Sequence, residues 1–408
     1  MSTDVRVPAP RKARPPQVEQ QGLPLATSTW DHRELQALQD VIASGQFTMG
    51  AHVQAFERAF AEAFGARHAV MVNSGSSANL LMVAAAVLDD RTDLNPGDEV
   101  LVTAVSWATT YYPLTQYGLR PVLVDVDPHT LNIDLEAARA RCTDRTRAIL
   151  AVNLLGNPNR FDELQRLADE KGLVVLEDNC ESMGATFADR SAGTFGLMGT
   201  FSTFFSHHIS TMEGGVVVTD DEHLADMLLS LRSHGWTRNL PRGSALRPAG
   251  SEGFHDLFQF VLPGYNVRPL EMSGAVGLHQ LEKLPAMVAA RRANADTFRE
   301  LMSGVPGVRI QKEVGESSWF GFSCVLVDHL AGRRHEVVSA LSAAGIQTRP
   351  VVAGNFARNP VMRHLNADAC GSLVHADEVH DNGFYVGNHH YFVGDALRHL
   401  ARVVHSVR

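Results

Sequence analysis

At 408 residues the chain is long enough for two domains around a large core, and 45% hydrophobic with 20% charged side chains is ordinary for a globular protein. A formal net charge of −9 argues against nucleic-acid and membrane-surface roles, which need clustered positive charge. No stretch reaches the ~20 apolar residues of a membrane span. The four cysteines (Cys142, Cys180, Cys324, Cys370) lie too far apart for a metal-ligand run or a disulfide framework, which suits a reducing cytoplasm.

The first 22 residues are rich in Pro and Arg without an apolar stretch, and read as a disordered tail rather than a secretory signal. Helical periodicity follows in HRELQALQDVIASGQ and in HVQAFERAFAEAFG, where Val53, Phe56, Phe60 and Phe64 share one stripe that ends at Gly65. Strands and helices then alternate. HAVMV runs into a Gly/Ser turn and the helix SSANLLMVAAAVL; DEVLVTAVSW precedes TTYYPLTQYG and PVLVDVD; RTRAILAVNLLG precedes RFDELQRLADEKG and GLVVLEDNC. Continuous apolar strands separated by helices predict an α/β domain over 23–262, built on a mostly parallel sheet covered on both faces. Phe201 onward reads as a loop that carries His207 and His208 into the strand at Val216–Thr219. NLPRGSALRPAGSEGFHD reads as a long surface or interface loop. The rest, 263–408, reads as a bridging helix, AMVAARRANADTFRELMSG, and a smaller α+β domain with WFGFSCVLV as a strand and HEVVSALSAAG as a helix.

Ligands of such sheets gather beyond the carboxyl ends of the strands, and the polar residues there are the candidates. Asn73-Ser74-Gly75-Ser76-Ser77 opens a helix, where free N–H groups and hydroxyls suit a phosphate; a plain N-cap is the competing reading. Glu177-Asp178-Asn179-Cys180-Glu181 ends a buried strand, where acids need a task or a partner. One carboxylate there could hold a pyridinium nitrogen protonated, the alternative being a cap with solvated acids. Trp107, at a strand end, suits a plate stacked on a planar ligand, although a core tryptophan is the commoner outcome. Two adjacent histidines suggest a metal, but neighbours on an extended segment face opposite ways. His207 and His208 are therefore not expected to share an ion, nor are His389 and His390, and no metal site is predicted.

Strand–NSGSSAN–helix, a strand-end tryptophan, LEDNCES, FS…EGG and GYNVRPLEMSGAVG, in this order, resemble the sugar-modifying pyridoxal-phosphate aminotransferases of fold type I. The resemblance runs from about Leu23 to the C-terminus. In that family the loop reads F-S-x-x-x-x-K-x-x-x-x-x-E-G-G, and the lysine links covalently to the cofactor. Here that position is His207, which cannot form the link. Of 36 basic residues only four are lysines, Lys12, Lys171, Lys283 and Lys312, and none is placed to substitute. A small branch of the family makes the same exchange: the nucleotide-sugar C3-dehydratases of 3,6-dideoxyhexose formation. One of its subgroups carries an iron–sulfur cluster on cysteines after the R-x-x-G-W region, and RSHGWTRNLPRGSALRPAG has none, so the chain is similar to the cluster-free subgroup.

The resemblance implies pyridoxal or pyridoxamine 5′-phosphate held without a covalent bond. Gly75, Ser76 and Ser202 would hold the phosphate, Asp178 the pyridine nitrogen, Trp107 the ring face, and Glu181 would lie near the ring oxygen. Asn266 would reach the phosphate of the neighbouring subunit in a homodimer with shared active sites. His207 becomes the acid/base group, an imidazole near pKa ~6.5 being able to act in both senses. His234 and Arg238 would reach the partner's site, His234 near the sugar and Arg238 as an anion clamp. Arg349 would contact a carboxylate or phosphate, with a surface ion pair as the alternative. His208 is expected to make a structural hydrogen bond. The implied substrate is a nucleotide 4-keto-6-deoxyhexose, GDP-linked by similarity with CDP and dTDP as alternatives, and L-glutamate the amino donor. The rivals are an aminotransferase-like enzyme acting on a CDP or dTDP sugar and a cofactor-binding protein without catalytic activity.

Overall fold

The computed structural model describes residues 22–248, 255 and 258–407. The predicted tail therefore lies outside the described residues except for Gly22, as does part of the long loop expected over 239–256. Helices α1 (His32–Ser44) and α2 (Ala51–Phe64) come first. The first sheet then forms from β1 (His68–Val72), β2 (Glu99–Thr103), β3 (Arg120–Val124), β4 (Thr146–Val152) and β5 (Val174–Asp178). These alternate with α3 (Gly75–Leu88), α4 (Ala108–Gln116), α5 (Leu135–Arg141) and α6 (Phe161–Lys171). A short hairpin, β6 (Thr186–Phe187) with β7 (Arg190–Ser191), precedes β8 (Met198–Ser202), β9 (Gly215–Thr219) and α7 (Glu222–Leu231). The long helix α8 (Glu271–Met302) leads to β10 (Val308–Ile310), β11 (Gly321–Leu326), α9 (Arg334–Ala343), β12 (Thr348–Arg349), α10 (Val374–Asn382), β13 (Gly383–Gly387) and α11 (Gly394–Ser406).

The seven-stranded sheet has the order β1-β9-β8-β5-β4-β2-β3, and every pairing is parallel except the two made by β9. Its strands are apolar almost throughout because helices cover both faces. Helix α3 is buried nearly all round, which explains its uniform Ala, Leu and Val content. A second sheet, antiparallel and ordered β10-β11-β13-β12, packs on α9 and α11 around a separate core that includes Phe298, Trp319 and Phe322. The predicted stripe of Val53, Phe56, Phe60 and Phe64 is fully buried, and Gly65 ends the helix in the left-handed conformation.

Two elements differ from the sequence reading. Phe201 and Ser202 belong to β8, a central strand, rather than to a loop. Helix α8 begins at Glu271 rather than Ala286 and continues through Pro285. Tertiary packing outweighs the glycines and the proline there: a Cβ at Gly277 would lie 2.7 Å from the Phe56 ring, so the missing side chain is what lets α2 and α8 approach. Glu271 also caps α2 from across the interface. Its carboxylate accepts from the N–H of Gly50 (2.5 Å), His52 (2.6 Å) and Val53 (3.3 Å), where the cap residue Gly50 offers no side chain of its own.

Candidate active site

A cavity of about 380 Å³ opens beyond the carboxyl ends of β1, β2, β4, β5 and β8, with Phe320, Arg349 and Tyr385 from the second sheet and its approach closing one side. It gathers eight of the predicted residues: Gly75, Ser76, Trp107, Asp178, Glu181, Ser202, His207 and Arg349.

Ser74 is the N-cap of α3 and accepts from the Ser77 N–H at 3.0 Å, so the plain capping reading holds for that residue. The N–H groups of Gly75 and Ser76, first in the helix, have no intrahelical acceptor and sit at the positive end of its dipole. The Ser202 hydroxyl, at the end of β8, stands against this turn. A Cβ on Gly75 would fall 2.7 Å from Ser202 Cβ and 3.0 Å from Cys180 Sγ, so only glycine leaves the cradle open. Free N–H groups and a hydroxyl at a helix N-terminus are chemistry that suits an anion.

The acids after β5 divide by role. Glu177 is wholly buried and accepts from the N–H of Gly193 and Gly196, both at 2.7 Å, which makes it a structural anchor for the following turns. Asp178 is 5% exposed. Its Oδ2 accepts from Asn79 Nδ2 and Thr110 Oγ1, each at 2.8 Å, while Oδ1 takes only the Cys180 N–H at 3.2 Å. One oxygen is thus saturated by buried donors and the other is left for a ligand. Asn79 is oriented in turn by Thr200, whose hydroxyl donates to its Oδ1 at 2.6 Å. Glu181 accepts from the Leu155 N–H at 3.1 Å, and burial, with some help from the Asp178 charge, pushes its carboxyl up to about 7. None of these three acids is an ordinary solvated one.

Trp107 is 59% exposed at the start of α4 and lines the cavity, so it is not a core residue. His207 Nδ1 lies 2.8 Å from the Cys180 carbonyl. A carbonyl can only accept, so Nδ1 carries the hydrogen and Nε2 is the basic nitrogen. Burial holds the imidazole down to about 4, against the ~6.5 expected from an unperturbed ring. The ring is therefore neutral at physiological pH, ready to accept a proton and quick to give it up. His208 is fully buried, with Nε2 3.1 Å from the Ser318 carbonyl, and has the structural hydrogen bond expected of it. The two imidazoles answer to different carbonyls, and no group of three or more His, Cys, Asp or Glu among the described residues could hold a metal. His389 is likewise structural, bonded to Pro24 O and Thr27 Oγ1.

Arg349 is exposed, is the cross-strand partner of Tyr385 and forms no ion pair with a described carboxylate. His234, Arg238 and Asn266 are not brought to this cavity within one chain. They form a separate surface cluster: His234 donates its N–H to Tyr265 O at 2.6 Å, Asn266 bridges to Ser233, and Arg238 and Arg268 both lie over the Trp236 ring. Sequence reasoning missed Asn79, Thr110, Phe320 and Tyr385. Asn79 does carry a signal, since it lies one helical turn after Gly75 and so faces the same end of the site. None of the described lysines lines the cavity: Lys283 pairs with Asp31 and Glu34, and Lys171 ends α6.

A mostly parallel sheet with a phosphate cradle, a buried aspartate and an aromatic plate at its carboxyl edge is the architecture of a fold type I pyridoxal-phosphate protein. The chain belongs to the DegT/DnrJ/EryC1/StrS aminotransferase family, whose sequence profile matches residues 28–408. Within it, the chain is 51% identical over 383 residues to GDP-4-keto-6-deoxy-D-mannose 3-dehydratase of Escherichia coli, a match spanning 93% of this chain and 99% of that protein. A crystal structure of GDP-4-keto-6-deoxymannose-3-dehydratase with a trapped PLP–glutamate geminal diamine superposes with a TM-score of 0.91 at 51% identity, covering 94% of this chain and 100% of the other. A histidine-to-asparagine mutant of that enzyme with bound GDP-perosamine matches with the same TM-score at 50% identity, covering 94% of this chain and 100% of the other.

Proposed function

We propose that this chain is a pyridoxal-phosphate-dependent 3-dehydratase that removes the C3 hydroxyl of GDP-4-keto-6-deoxy-D-mannose, with L-glutamate as amino donor and ammonia as the released nitrogen. The exchange balances: glutamate is oxidised to 2-oxoglutarate, and its reducing equivalents replace the C3 hydroxyl by hydrogen, the oxygen leaving as water. The residues present fit the cofactor. The Gly75 turn would receive the phosphate together with the Ser76 N–H and the Ser202 hydroxyl, Asp178 Oδ1 would hold the ring nitrogen protonated, Trp107 would cover the ring, and Glu181 would face the ring oxygen. When bound in its amine form, the cofactor supplies the nitrogen that attaches at the C4 ketone and the ring that accepts electrons.

His207 does the proton work. Its Nε2 takes a proton from the carbon next to the cofactor nitrogen and delivers it to the departing C3 hydroxyl. The lowered basicity makes the imidazolium a stronger acid for that second step. Arg349 would meet a substrate carboxylate or phosphate. His234, Arg238 and Asn266 would serve the neighbouring subunit of a cytoplasmic homodimer. No helix among the described residues is long and apolar enough to cross a membrane.

The observation that carries this reading is His207 on the cavity wall at the position of the family's lysine, with every described lysine elsewhere. The test is incubation of the protein with pyridoxal phosphate, L-glutamate and a panel of GDP-, CDP- and dTDP-linked 4-keto-6-deoxyhexoses. Ammonia and a 3-deoxy product from the GDP sugar are expected. An amino sugar without ammonia, or cofactor binding without turnover of any sugar, would refute it.

A further inference from the structure

Arg291, on α8, is a buried cation without a carboxylate. It is 5% exposed, forms no ion pair with a described acid, and spends its Nη1 on two carbonyls, Phe320 O at 3.1 Å and Asn388 O at 2.7 Å. Its Nε has no partner among the described residues. An unneutralised guanidinium in a protein interior is expensive unless it has a task, and nothing in the cofactor or substrate scheme uses it.

Its surroundings suggest that task. The Phe320 ring packs edge-on against His207, with centroids 5.0 Å apart, and lies tilted against His208, at 5.7 Å. Phe320 is pinned from both ends of its peptide: its N–H donates to Leu155 O at 3.0 Å and its carbonyl accepts from Arg291. Leu155 holds Glu181 through its own N–H. Arg291 therefore fixes the aromatic wall behind the imidazole and places a positive charge within the same packed layer.

We infer that Arg291 is a positioning residue for His207, which holds the Phe320 ring against the imidazole and keeps a fixed positive charge behind it. This rests on the proton role given to His207 above. Several other groups face the ring. Asp178 at the end of β5 favours the charged form, as does the Cys180 carbonyl, while Glu181, Glu213, Arg349 and Tyr385 stand around the cavity and His208 follows in the same loop. Burial and the Arg291 charge oppose Asp178 and the carbonyl. The guanidinium is itself lowered to about 10 by burial and so stays charged at neutral pH.

The experiment titrates His207 directly, by NMR of the full chain labelled at histidine Cε1, the His207 signal being assigned by its loss in His207→Asn. This readout needs no turnover, so a failed dehydratase assignment and a failed role for Arg291 give different results. In Arg291→Gln, which retains a donor to the Phe320 carbonyl but no charge, the His207 midpoint is expected to rise by about one pH unit. The acid limb of single-turnover dehydration should rise with it. Arg291→Lys, which keeps the charge, should leave the midpoint near that of the parent. Phe320→Leu keeps Arg291 in place and should slow dehydration about tenfold at the pH optimum; it also serves if Arg291→Gln does not fold. A His207 midpoint unchanged in Arg291→Gln, or moved as far by Arg291→Lys, would overturn the electrostatic part. Full activity in Phe320→Leu would overturn the packing part.

Discussion

Thr110→Val probes whether Asp178 is held ready for a ring nitrogen. Valine keeps the shape of threonine and removes one of two donors on Asp178 Oδ2, a 2.8 Å bond at a site where Thr110 is fully buried. The same hydroxyl contacts Ser106 Oγ at 2.7 Å, so the substitution also leaves a buried serine short of a partner. Thr110 has no exposed surface, and Asn79 alone would have to hold the carboxylate oxygen. A hydrogen bond to a charged group contributes about 1.5–3 kcal/mol, and at ~1.4 kcal/mol per tenfold this is roughly a 10- to 150-fold loss of cofactor affinity. The assay is absorbance and fluorescence titration of the cofactor-free protein with pyridoxal phosphate, beside a thermal melt to correct for folding. Thr110→Ser, which restores the hydroxyl, should recover most of the affinity. A Thr110→Val protein that binds the cofactor within about threefold of the parent would refute the idea that this network sets the aspartate.

Three further outcomes follow from the geometry. Gly75→Ala should abolish phosphate-dependent cofactor binding, because the new methyl would lie 2.7 Å from Ser202 Cβ; a parent-like Kd for pyridoxal phosphate would contradict the cradle. Glu271→Ala removes three hydrogen bonds at the start of α2, one of them buried and two part-buried, and should cost about 1–3 kcal/mol in chemical denaturation. Glu181 is raised to about 7 in the fold from the ~4.5 of an unfolded glutamate. Its protonation therefore stabilises the cofactor-free protein fully below about pH 4.5, and that contribution is lost as pH rises through about 7. Glu181→Gln should flatten this part of the melting temperature–pH curve, and an unchanged slope would count against the shift.

Much of the fold was legible because burial on both faces of the large sheet forces unbroken Val/Leu/Ile strands. The α2 stripe was also clear, since its four apolar residues share a helical face. Strand β8 was not, because Met198–Ser202 mixes Gly, Thr and Ser with two large apolar residues and owes its burial to the strands on either side. The start of α8 was hidden by Pro285 and by Gly274 and Gly277, two glycines that only the packing of α2 explains. The site motifs were readable where contact residues are close in sequence, as in the Gly75 turn and the Asp178–Glu181 segment. The support for Asp178 was not readable, since Asn79 and Thr110 bond it directly and Thr200 orients Asn79, from three separate elements. The depressed basicity of His207 was also out of reach, because it comes from burial and from a cation 84 positions away in the chain, at Arg291.

The most direct test of His207 in place of a lysine is borohydride treatment of the protein loaded with pyridoxal phosphate, followed by intact mass. The parent protein should show no added mass, since none of the described lysines lines the cavity, while His207→Lys should gain one reduced cofactor and lose dehydration. A stable cofactor adduct on the parent chain, or dehydration that survives in His207→Lys, would contradict the account.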